Sequence, residues 1–132
     1  MYWHGRKNCN NRQVIARIFI CALLTVSSVL FGAVPFAKLS GDYQKQMVPL
    51  LERYCLSCHS TQDQEGELDL ERFTSLEAVR QAPKVWVKVV EMIEDGEMPP
   101  KKEAQLSAAE RKRFLGWIGD YLDAEALANA GD

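Results

Sequence analysis

Cys55-Leu56-Ser57-Cys58-His59 forms a Cys-x-x-Cys-His run, the spacing of a site for covalent c-type haem attachment. Two thiols so placed add to the two vinyl groups of one haem. The imidazole beside the second thiol is then held beneath the iron as its proximal ligand. Further along stands Gly96-Glu97-Met98-Pro99-Pro100. Pro99 and Pro100 lock φ and donate no N–H, so the Met98 thioether is presented on a stiff loop that limits its release from a metal. A His/Met pair gives a relatively high-potential electron-transfer haem. The residues therefore point to one covalent haem c per chain, with Cys55 and Cys58 as thioether sites and His59 and Met98 as axial ligands of its iron. His59 is expected to donate its second ring nitrogen to a backbone carbonyl, which fixes the tautomer.

Other chemistries suit these residues less well. A redox dithiol of the thioredoxin kind sits near a βαβ pattern, and no period-two strand pattern is visible. A structural zinc site needs four protein ligands, and the only other histidine is His4, close to the N-terminus. Met47 and Met92 fall on helical faces, where methionine fills core gaps. Trp86 reads as core, with a second possibility that its N–H reaches a haem carboxylate. Lys101 and Lys102 read as a solvated turn. No acid–base pair or activated nucleophile is visible, so the chain reads as an electron carrier rather than an enzyme. Two rival readings stand beside it. One is a haem enzyme or gas sensor with a displaceable Met98; the other is an interaction module that uses haem only to fold.

The segments that must position these groups are helical, with no internal repeat. From Asp42 to about Leu56, Tyr43, Met47, Leu50, Leu51 and Tyr54 share one face. Pro49 should kink this helix or push its regular part C-terminally. Ser60 to about Thr74 reads as a loop in which Leu68, Leu70 and Phe73 make small-core contacts. Pro83 suits a first helical turn, and Val85, Trp86, Val89, Val90 and Ile93 form a stripe up to Asp95, where Gly96 caps the end. Ser107 to Glu110 is a capping box that opens a last helix with Phe114, Leu115, Ile118, Tyr121 and Leu122 on one apolar face and Trp117 at its flank. Gly116 and Gly119 each cost about 1 kcal/mol inside a helix relative to Ala. Their presence predicts a close crossing between this helix and the first one.

Charge divides the chain. Arg6, Lys7, Arg12 and Arg17 precede residue 38 with no acid among them, and Ile18 to Ala37 is uncharged. A basic stretch followed by an apolar one is a secretory leader, and twenty uncharged residues are also enough for a membrane anchor. Residues 1–37 are thus expected to be a cleaved signal peptide or an N-terminal anchor, with membrane attachment through 18–37, and 38–132 the exported, periplasmic domain. Cys9 and Cys21 lie in the leader, so the haem motif accounts for all cysteine of the domain. The domain carries twelve Lys and Arg against eighteen Asp and Glu, a formal charge of −6. Such a surface excludes nucleic acid, whose phosphates call for basic side chains, and suits a redox protein partner with a basic patch. A domain of this size has a marginal core, so the haem-free form is expected to be largely unfolded.

The motifs together resemble the planctomycete-type cytochrome c domain, within the broad class I cytochrome c fold. The matching elements are Tyr54-Cys55-x-x-Cys58-His59, Gly66-Glu67-Leu68-Asp69-Leu70, Trp86-x-Lys88-Val89, Gly96-Glu97-Met98-Pro99-Pro100, Leu106-Ser107-x-x-Glu110 and Trp117-Ile118. They cover about residues 45–122. The resemblance implies an all-α, cytochrome c-like fold of three to four helices around one haem, with the thioether and axial residues named above. Where the family has Gly-Gly before the first Leu, this chain has Gly66-Glu67. Such domains often form part of larger exported proteins, which implies that this one belongs to a multidomain protein.

Overall fold

Leu39, Tyr43, Met47, Leu50 and Leu51 are all buried, and their spacing traces one continuous face of a helical rod. In the computed structural model, which describes residues 33–130, that rod has three parts: α1 (Phe36–Asp42), a π-helical turn (Tyr43–Met47) and α2 (Val48–Tyr54). The rod begins at Phe36 rather than Asp42, because Leu39 extends the same buried stripe and Pro35 stands at the N-cap. The expected disturbance by Pro49 takes the form of the π turn. Pro49 has no N–H and its ring crowds the carbonyl one turn back. The widened turn ahead of it lets Val48 N–H reach the Tyr43 carbonyl instead.

Beyond the rod, a loop with one short 3₁₀ turn (Glu65–Glu67) leads to α3 (Leu76–Arg80), α4 (Pro83–Glu94) and α5 (Ala108–Ala128). The fold is all-α, with no strand among the described residues. With the rod counted once, it has four helices, within the expected three to four. The helix α3 was not anticipated; Ser75 caps it by accepting from Ala78 N–H. The boundaries of α4 and the capping box of α5 match expectation, and Ser107 and Glu110 satisfy each other's backbone N–H groups. The leader expected over 1–37 lies, apart from its last residues, outside the described residues. No helix among the described residues is long and apolar enough to cross a membrane.

The core is aromatic. Tyr43, Phe73, Trp86, Trp117 and Tyr121 are buried with neighbouring ring centroids 5.2–6.3 Å apart. Aromatic pairs of this kind contribute about 0.5–1.5 kcal/mol each beyond burial. Their polar ends tie separate segments together. Tyr43 Oη donates to the Phe73 carbonyl, Trp117 Nε1 to Leu39 O at 3.1 Å, and Tyr121 Oη to Val79 O at 3.2 Å. At the surface, Arg80 pairs with Glu125 and lies over the Phe36 ring at 3.9 Å. Trp117, expected at the flank of its helix, is 5 % exposed and sits among these rings.

The glycine argument fails. Gly116 and Gly119 are both exposed, and a Cβ added to either meets no atom within 4 Å. Helix α5 packs on α1 and α4 through Phe114, Trp117, Ile118, Tyr121 and Ala124, while the glycines face solvent. Their helix cost is borne by that aromatic face and by the capping box. Gly116→Ala and Gly119→Ala should therefore each raise stability by about 0.5–1 kcal/mol in chemical denaturation; a loss from either substitution would restore the close-crossing argument.

Burial pushes the Tyr43 hydroxyl up to about 12. Burial, with the Glu125 carboxylate adding to it, does the same for Tyr121. An acid whose folded value is raised keeps its proton longer when folded. Its stabilisation is complete below the ordinary tyrosine value of 10.0 and is lost as pH rises through about 12. Tyr43→Phe should cost about 1–2 kcal/mol at neutral pH, because the Phe73 carbonyl loses its buried donor, and should flatten the alkaline decline. An unchanged decline between pH 10 and 12 would show that Tyr43 is not the group responsible.

Candidate functional site

The end of α2 delivers the Cys-x-x-Cys-His run in a folded turn. Cys55 and Leu56 N–H both reach Leu51 O, at 2.9 and 3.0 Å, and Cys58 and His59 N–H both reach Cys55 O, at 3.2 and 3.0 Å. The following loop is anchored on the same residues. Glu65 N–H donates to Cys58 O at 2.9 Å, and Leu70 N–H to His59 O at 2.8 Å. Thr61 then bridges the loop, its hydroxyl reaching the Asp69 carboxylate and its N–H donating to Glu71. Gly66 has φ +67° and Glu67 φ +60°. The residue that stands where the family has its second glycine thus keeps the left-handed conformation that glycine adopts without cost.

A second set of bonds fixes the methionine loop. Glu97 and Met98 N–H both donate to Met92 O at 3.0 Å, and Gly96, at φ +71°, turns the chain out of α4. Arg111 of α5 donates to the last carbonyls of α4, Ile93 O at 3.0 Å and Glu94 O at 3.3 Å. Gln105 Nε2 reaches Pro99 O at 3.2 Å, Pro100 O at 2.9 Å and Glu103 O at 3.0 Å. The loop is thereby held from both ends. The start of α5 is in turn tied to the haem motif, since Tyr54 Oη donates to Glu110 Oε2 at 3.1 Å and Arg53 pairs with Glu110 at 3.8 Å. The Ser107 hydrogen bonds, with smaller help from Tyr54 and Arg53, hold the Glu110 carboxyl below the usual carboxylate range.

These elements enclose a largely apolar cavity of about 460 Å³, within the range of small-molecule and cofactor sites. Cys55, Cys58, His59 and Met98, the four residues singled out from spacing, all line it. Leu50, Leu70, Val89, Ile93 and Phe114 supply apolar wall. Trp86 does not line the cavity; it is fully buried in the aromatic core, where its Nε1 has no hydrogen-bond partner. Lys101 and Lys102 are exposed, as expected for a solvated turn. Gln105, Arg111 and the Tyr54–Glu110 bond were missed; no local sequence pattern marks a side chain that reaches a distant carbonyl.

The cavity and its lining fit a covalently held haem. Both thiols are free. Burial, with the neighbouring Cys58 adding to it, pushes the Cys55 thiol up to about 12, so it stands against the cavity as a neutral group. His59 Nδ1 is buried with no hydrogen-bond partner. The backbone carbonyl expected to accept from this ring is therefore not engaged; the nearby carbonyls of Cys55, Cys58 and His59 serve backbone N–H groups instead. A buried unpaired ring nitrogen costs about 1–3 kcal/mol. His59 lines the cavity together with both thiols, so its imidazole is a nitrogen donor available to a metal held there.

Comparison with known proteins agrees. Residues 55–102 match the family model described as Planctomycete cytochrome C. No curated protein and no solved structure matches the chain. The matched segment begins at the first haem-motif cysteine and runs past Met98 to Lys102, so it spans the motif, α4 and the methionine loop that wall the cavity. The match supports a haem-binding, cytochrome c-type domain, and the segment 55–102 is similar to the planctomycete family of such domains.

Proposed function

We propose that the domain is a single-haem electron carrier in which His59 and Met98 are the two axial ligands. The observation that carries this reading is that Met98 lines the same apolar cavity as Cys55, Cys58 and His59, although it arrives on a separate loop. The bound haem supplies a one-electron ferric/ferrous couple. The chain's own groups do the rest. Cys55 and Cys58 tether, His59 ligates from the folded turn, and Met98 offers a soft sulfur favouring the ferrous state. The apolar wall excludes water and so helps to set the potential. Arg111 and Gln105 restrain the methionine loop, which supports a retained ligand over a displaceable one. On this reading the domain is not an enzyme.

The setting is part of the proposal. The basic and apolar stretch before residue 38 supports export to the periplasm, with residues 18–37 either removed with the leader or kept as a membrane anchor. The formal charge of −6 beyond it supports a redox partner with a basic patch. The resemblance supports a place within a larger exported protein.

Met98→Ala tests the axial assignment. The variant should lose the weak ferric absorption band of sulfur–iron coordination, show a lower reduction potential and bind carbon monoxide. Met47 is buried in the core and does not line the cavity, whereas Met92 does. Survival of the band in Met98→Ala would therefore assign the sulfur to Met92.

A further inference from the structure

Helix α4 presents two parallel rows to the cavity. Residues 84, 88 and 92 form one and residues 85, 89 and 93 the other, each at the four-residue spacing that stacks side chains on one face. All six line the cavity. Val89 and Ile93 of the second row are buried, so this row is the wall. Lys84 and Lys88 of the first row are exposed, so that row is the rim. Its third member, Met92, is uncharged and lies at the end where its carbonyl holds the Met98 loop. Positive charge on the cavity rim is thus confined to the first two turns of α4. The acidic residues that line the cavity are Glu65, Glu67 and Glu103, all exposed.

We propose that Lys84 and Lys88 form a carboxylate-binding edge that takes the two haem propionates and so sets how the haem is seated. This rests on the reading that the cavity holds haem. A haem carries its two carboxylates on the edge away from its vinyl groups, and the vinyl groups are committed to Cys55 and Cys58. Carboxylates set against Glu65, Glu67 or Glu103 meet like charge, and carboxylates set against the lysine turns meet opposite charge. Both lysines are available. Lys84 has no ion-pair partner among the described residues. Lys88 meets Glu91 at 3.1 Å with both side chains well exposed, a pairing weak enough to yield to a better anion. Their hydrocarbon stems can lie along the valine row while the ammonium groups stay in water. The pattern is separate from the axial chemistry, since it fixes the polar edge of the haem rather than its iron.

The test uses the holo-protein carrying haem with carbon-13 at its carboxylates, which separates them from protein carboxylates in redox-difference infrared spectra. Lys84→Gln/Lys88→Gln should shift the labelled carboxylate band and lower the reduction potential. Lys84→Arg/Lys88→Arg should restore both. Lys112→Gln makes the same charge change on a groove between α1 and α5 away from the cavity, and should leave the labelled band in place. The single variants at 84 and 88 provide the same readout should the double variant hold too little haem. An unmoved band in the lysine variants overturns the proposal, including the case where the potential falls, because the lysines then act on the haem or on an acidic protein partner without touching its carboxylates. The covalent haem and the sulfur–iron band report separately on the underlying reading. Their absence in the parent protein counts against that reading, whereas their presence with an unmoved carboxylate band counts against the lysine edge alone.

Discussion

The ring of Trp86 meets three segments at once. It packs on Tyr43 of the rod that ends in the haem motif, on Phe73 of the loop that follows the motif, and on Trp117 of α5. Trp86 itself belongs to α4, which runs into the Met98 loop. The spacing between the thiol–imidazole cluster and the thioether is therefore set by this one aromatic junction. Val85 and Val89 wall the cavity, while Trp86 between them anchors the helix in the core. Interiors packed to this density shift little without cost. That rigidity keeps His59 and Met98, which come from separate elements, on one cavity.

Hydrogen bonds refine what the rings position. The aromatic core places α5 beside α1 and α4. Arg111 and Gln105, at and just before the start of α5, then clamp the methionine loop, and Glu110 reaches Tyr54 beside the motif. The capping box thus has a second role. Glu110 serves the backbone of its own helix and also joins the two halves of the site. Such a division of labour explains how a short chain with a small core can present His59 and Met98 to one cavity. The remaining wall is apolar and calls for a large apolar occupant, since open apolar surface of this extent is unfavourable in water.

The residues of the site were legible because each is defined by local spacing. Cysteines three apart with an adjoining histidine, and a methionine followed by two prolines, carry their chemistry in a few positions. The helices containing Trp86 and Phe114 were legible for the same reason, through periodic apolar stripes and a capping box. Three features were not. Gly116 and Gly119 were read as a packing contact, because helix propensity reports the cost of a glycine but not which side of the helix it occupies. The π turn at Tyr43–Met47 depends on how one proline is absorbed, and a kink and a widened turn share one sequence signature. The Gln105 and Arg111 clamps join positions brought together only by the fold.

The central claim is that one cavity holds a covalent haem ligated by His59 and Met98. The reduced-minus-oxidised absorption spectrum of the holo-protein, recorded with and without carbon monoxide, tests it most directly. A six-coordinate, low-spin c-type spectrum that carbon monoxide leaves unchanged is the result the account predicts. A spectrum that carbon monoxide converts at once, or one lacking c-type bands, would contradict it, the first by opening the Met98 position and the second by emptying the cavity of its haem.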